Sequence, residues 1–174
     1  MTTMTRSYQV RAIDQAVATA LREIDDAGRR PRLVIDHDGG SPLRCCLRPA
    51  QRHEPILLAS YAPLRRWARE MAVDPGGYDE VGPVFIHPQP CAGPAGDRLP
   101  AQLFTTRRML RSYAGDGAIL GDRIVEPDED PEQVVEQVLA DSRVAVVHAR
   151  AIEFGCFTFE VRRSGTTAIA GRRP

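Results

Sequence analysis

The sequence predicts an α+β protein, a mostly antiparallel sheet with two packed helices, forming a single domain over residues 1–163 with a flexible tail over 164–174. Three observations lead there. Short apolar runs broken by Gly, Pro and Asp recur along the chain, as in hairpin-joined strands. Only two segments carry a clear helical stripe beneath a capping residue. No glycine fingerprint joins a strand to a helix, so a doubly wound dinucleotide fold is not expected. At 174 residues the chain can bury a real core, about 70% of its unfolded surface.

Tyr8 to Ile13 reads as a strand. Asp14 then caps a helix to about Ala27, with Val17, Ala20, Leu21 and Ile24 on one stripe and Gly28 placed to end it. Arg32 to Asp36 is a strand, Asp38 to Pro42 a loop, and Pro55 to Tyr61 a buried strand. Residues 62–79 are open: Leu64 to Met71 would make two helical turns before Asp74-Pro75-Gly76-Gly77 breaks them. Trp67 sits there among Arg65, Arg66 and Arg69, and a tryptophan pinning a short helix is the commoner arrangement than one stacking on nucleic acid.

Gly82 to Ile86 is a short apolar strand that delivers His87 to its end. Pro88 and Pro90 fix φ and donate no N–H, so the chain leaves the sheet at once and runs stiffly to Cys91. Residues 88–101 are a long irregular loop. Leu103 to Tyr113 and Ala118 to Val125 flank Gly115-Asp116-Gly117 as a hairpin, and Pro131 to Asp141 is the second helix. Arg143 to Arg150 and Gly155 to Arg162 close the domain.

Composition removes several function classes. The formal net charge is zero and the isoelectric point about 6.9, so no global field draws the chain to nucleic acid or anionic lipid. All 23 basic residues are arginine, which excludes lysine Schiff-base chemistry and a P-loop lysine. Asparagine is absent, so N-linked glycosylation has no acceptor. The N-terminus has no apolar targeting segment and no run approaches membrane-spanning length, which makes the cytoplasm the expected location. Cys45, Cys46, Cys91 and Cys156 are accordingly expected as reduced thiols, free for metal or chemistry.

Two stretches collect reactive groups. His87 and Cys91 have usable metal-ligand spacing, with Cys46, Cys156 or His148 to complete a tetrahedron. A Cys–His pair for nucleophilic catalysis is the other use of the same residues. In the last hairpin, strand alternation puts Ala145, Val147 and Ala149 on one face with Phe157, Phe159 and Val161. A register with 150 opposite 156 then sets His148 against Thr158 and Arg150 against Cys156 on the other face. That polar face is either solvated or part of one pocket with His87 and Cys91. His37 and His53 lie in polar loops and should face solvent.

The blocks Leu43-Arg44-Cys45-Cys46-Leu47-Arg48, Gly82 to Cys91, Leu110-Arg111-Ser112-Tyr113 and Val147-His148-Ala149-Arg150 followed by Gly155-Cys156-Phe157 resemble the bacterial family called domain of unknown function 1203. The resemblance singles out Cys46, His87, Cys91, Arg111, Tyr113, His148, Arg150 and Cys156. The chain departs from the family pattern at Leu43, where the pattern has a cysteine, and at Ala151, where it has asparagine. The missing first thiol counts against a four-cysteine metal site, unless Cys45 substitutes for it. The resemblance implies no activity.

These readings converge on a Cys/His/Arg pocket in a small-molecule enzyme or binder. Arg111, Tyr113 and Arg150 would hold a small anionic molecule, and Cys46, His87, Cys91, His148 and Cys156 would do the chemistry. The alternative is a non-catalytic interaction protein with a structural zinc site. The sequence names no cofactor, no oligomeric state and no reaction.

Overall fold

A computed structural model describes residues 7–165. Its elements run β1 (Tyr8–Arg11), α1 (Gln15–Glu23), β2 (Arg32–Asp36), β3 (Glu54–Tyr61), α2 (Pro63–Met71), β4 (Gly82–Ile86), β5 (Arg108–Tyr113), β6 (Ile119–Val125), α3 (Pro131–Ala140), β7 (Val146–Ala151) and β8 (Phe157–Arg163). They form an α+β fold with two antiparallel sheets, a five-stranded one in the order β1-β8-β7-β5-β6 and a three-stranded one in the order β2-β3-β4. The expected tail falls almost wholly outside the described residues.

Local chemistry sets the helix limits. Asp14 caps α1 by accepting from the Ala16 N–H. The helix ends at Glu23 rather than near Ala27, because Asp25 and Asp26 direct their carboxylates to backbone N–H groups and draw the chain out of helical geometry. Asp130 caps α3, with Pro131 at its first position. The sequence predicts two helices, and the described residues form three. The open stretch becomes α2, with Pro63 opening it and Ala72 ending it in left-handed geometry. Trp67 is buried on that helix, while Arg65 pairs with Asp79 and Arg66 with Asp26.

The five-stranded sheet is covered on both faces. On one, Leu110, Val147, Ala149, Phe159 and Val161 pack against Val134, Val135 and Leu139 of α3. On the other, Tyr113 and Val146 meet Leu64, Trp67 and Ala68 of α2. Phe157 joins a third cluster with Tyr61, Ile56, Leu21 and Leu43, where α1 and the small sheet come together.

The last hairpin departs from the expected register. His148 faces Glu160 and Ala149 faces Phe159, two residues beyond the predicted pairing. A β-bulge between Ala149 and Arg150 then sets Phe157 opposite Arg150. The extra residue turns Phe157 away from the Phe159 side to pack on Tyr61 and His148, at centroid distances of 5.3 and 5.2 Å. So Phe157 is buried as expected, but not beside Val147. The polar face is not solvated either: His148, Arg150, Thr158, Glu160 and Arg162 are all buried.

Candidate metal centre

Residues 43–48 form a tight turn strapped between two elements. The Leu43 N–H donates to Arg48 O and the Leu47 N–H to Leu43 O, with Leu47 in left-handed geometry at φ 60°. Leu43 bridges Phe85 of β4 in parallel, and the Arg44 N–H donates to Phe85 O at 2.8 Å. The Ile13 N–H donates to Arg44 O, and the buried Arg44 side chain donates from Nε to Phe157 O at 2.8 Å. Burial lowers the Arg44 pKa to about 10. The turn carrying Cys45 and Cys46 is thus held against β4, α1 and β8 at once.

β4 ends on Ile86, and His87 follows in the proline-stiffened segment. Arg22 of α1 donates from Nε to His87 O at 2.9 Å and from Nη2 to Gln89 O at 3.0 Å, which pins that backbone. Gln15, the first residue of the same helix, donates from its side-chain amide to Cys45 O, and its side-chain Oε1 lies 3.8 Å from Cys91 Sγ.

The result is a cluster of Cys45, Cys46, His87 and Cys91 whose potential ligand atoms all lie within 4.8 Å of one another. His87 Nδ1 is 3.3 Å from Cys45 Sγ and 3.8 Å from Cys46 Sγ. The His87 N–H also points to Cys45 Sγ at 3.4 Å. The other ring nitrogen, Nε2, lies 3.3 Å from Glu54 Oε1 and 2.7 Å from Arg48 Nη2. Arg48 in turn grips both oxygens of Glu54, and this pairing draws the Glu54 pKa down to about 2.

The two adjacent thiols share a proton unequally. A hydrogen bond from Cys45, aided by the Arg48 backbone N–H and the positive charge of Arg48, lowers Cys46 to about 6, against the raising effect of burial. Cys45, fully buried and holding the proton toward Cys46, is pushed up. Three sulfurs and an imidazole at this spacing permit metal binding.

The other residues singled out from the sequence have different neighbours. His148 lies 3.3 Å from Glu160 and stacks near Tyr113 and Phe157. Burial lowers its pKa, against the raising effect of the Glu160 carboxylate. Glu160 pairs with Arg162, whose Nη atoms also hold Glu70 of α2 at 2.8 and 2.9 Å. Arg111 forms a two-pronged pair with Asp122 across β5 and β6. Arg150 meets Tyr113 Oη at 3.3 Å and pairs with Glu80. Cys156 lies near Phe154 O at 3.6 Å. His37 and His53 are exposed and meet edge to face. All four cysteines are free thiols.

The sequence offers Cys45 as a free thiol and as a substitute for the thiol absent at Leu43, and does not mark Glu54, Arg48, Arg22 or Gln15 as neighbours of the cluster. Nothing in their spacing marks them, because each reaches the cluster through tertiary contact. Among the described residues no helix is long and apolar enough to cross a membrane. A family model described as "Protein of unknown function (DUF1203)" matches residues 40–163, a span that includes all four members of the cluster. No curated protein and no solved structure matches the chain.

Proposed function

The chain belongs to the DUF1203 family, and we propose that it is a zinc-binding protein in which Cys45, Cys46, His87 and Cys91 hold one ion as a structural clip. The observation that carries this reading is the convergence of four donor atoms within 4.8 Å. Zinc bonds of about 2.3 Å to sulfur and 2.0 Å to nitrogen require donor separations of about 3.5–3.8 Å in a tetrahedron, so small side-chain adjustments close the shell. Four protein ligands leave no position for water or substrate, which is the pattern of a structural rather than a catalytic site. Cys45 supplies the thiol that Leu43 lacks, and Leu43 is instead fully buried in the apolar core.

The surroundings fit this role. With Nδ1 given to a metal, Nε2 of His87 would carry the proton and donate to Glu54, 3.3 Å away, once Arg48 Nη2, now 2.7 Å from Nε2, turns fully to the Glu54 carboxylate it already grips. Such an outer-shell carboxylate orients metal-bound histidines. Arg48 balances that carboxylate and favours thiolate at Cys46. Cysteine ligands must stay reduced, which agrees with a cytoplasmic location.

Cobalt substitution tests the reading. Co²⁺ bound here should show intense visible bands of a tetrahedral thiolate site, at one ion per chain, and Cys91→Ala should weaken them strongly. A weak six-coordinate spectrum, or no uptake, would refute it.

A second reading rests on the lowered pKa of Cys46 beside His87. In metal-free protein this thiolate would be a nucleophile, consistent with a small-molecule enzyme. Zinc that fully protects Cys46 from alkylation at its stoichiometric amount counts for the clip and against this second role.

A further inference from the structure

A cavity of about 230 Å³ lies at the bulged end of β7 and β8. Tyr61, Pro63, Phe154 and Phe157 give it apolar walls, and Arg150, Glu80 and Cys156 also line it. Arg150 is only 5% exposed. Its Nη1 donates to Gly155 O at 2.8 Å, and its Nη2 faces Tyr113 Oη and the Glu80 carboxylate. Its Nε is shielded from solvent and meets no acceptor among the described residues. A guanidinium keeps its charge even when buried, so it must hold an anion.

The anion it holds comes from the surface. Glu80 precedes β4 in an irregular segment, and its side chain is 44% exposed. That carboxylate can return to water at little cost, whereas Arg150 cannot leave its site. Phe154 stands 85% exposed on the same cavity, a large apolar ring with no cover.

We propose that this cavity binds a small monocarboxylate with an apolar body, whose carboxylate takes the place of Glu80 on Arg150 while its body lies against Tyr61, Phe154 and Phe157. Exchanging one carboxylate for another keeps the buried charge balanced. Two N–H groups of the guanidinium fork can donate to one carboxylate side by side, which sets the ligand's orientation. A space of this size holds about ten non-hydrogen atoms at the packing density of protein interiors, enough for an aryl or short branched acid. The site does not involve the thiol cluster, so its test is independent of metal content.

Benzoate is the probe, and the alkylation rate of Cys156, read by peptide mass mapping on the full chain, is the signal. Benzoate at about 10 mM should slow that rate at least ~3-fold, and neutral benzyl alcohol at the same concentration should not. Glu80→Gln removes the resident competitor and should give the same protection at roughly tenfold lower benzoate. Arg150→Gln should abolish protection; if that variant does not fold, the wild type and Glu80→Gln still decide. Protection in Glu80→Gln alone would show that Glu80 holds the site against an incoming carboxylate, and would overturn the proposal. Equal protection by benzoate and benzyl alcohol, or none in either protein, overturns it.

Discussion

Cys45 and Glu54 each test the metal site by a different route. Cys45 is fully buried between the other donors, so Cys45→Ser should remove a ligand and drop metal content well below one per chain. Glu54 touches no metal position but contacts His87 Nε2 at 3.3 Å. Glu54→Gln should therefore leave the ion bound but weaken it about 10–100-fold, measured by competition with a chromogenic chelator. Unchanged affinity would mean that Glu54 serves only its pair with Arg48. Of these residues the sequence marked His87 and Cys91 clearly, because proline placement and spacing are local signals. Cys45 was legible only as a stand-in for the thiol missing at Leu43. Glu54 was not legible, since its approach depends on β3 pairing with β4.

Elements were legible where local rules decide them and not where packing does. The cap at Asp14, the opening of the last helix at Pro131 and the glycine-centred hairpin follow from local chemistry. The bulge at Ala149 and Arg150 does not, because alternation alone permits an unbroken ladder. Phe157 consequently packs on Tyr61 and His148, and Phe157→Ala should cost about 3–5 kcal/mol in denaturant melts. A loss below about 1 kcal/mol would contradict its burial. The turn after α1 offers a pH test. Asp25 accepts from the N–H groups of Ala27, Arg29 and Ser60. Burial alone would raise its pKa, but these bonds outweigh it and leave the folded value lowered. A lowered folded pKa contributes stability above the unfolded value, about 3.9, and that contribution fades as pH falls through the folded one. Asp25→Ala should thus cost about 1–3 kcal/mol at pH 7 and distinctly less near pH 3. An equal cost at both values would show that the carboxylate's charge plays no part.

Across the whole molecule, the α+β class and most strand positions could be read from the sequence. The second sheet and the burial of the polar face could not, for they depend on α2 and the small sheet closing over the large one. His148 and Arg150 pair with Glu160 and Glu80, and the thiols with His87. The cluster itself joins parts far apart in the chain: the 43–48 turn, the end of β4 and the loop to Cys91, all leaning on α1. An ion there would tie them together, and an ion present at about 1,000 times its dissociation constant adds about 4 kcal/mol of stability. The most direct measurement is the zinc content of protein purified without chelator, by elemental analysis, paired with thermal melts before and after chelation. The account predicts one zinc per chain, a melting temperature that falls on chelation, and its recovery when zinc is returned. Metal well below stoichiometric amounts, with a melting temperature indifferent to chelator and to added zinc, would contradict it.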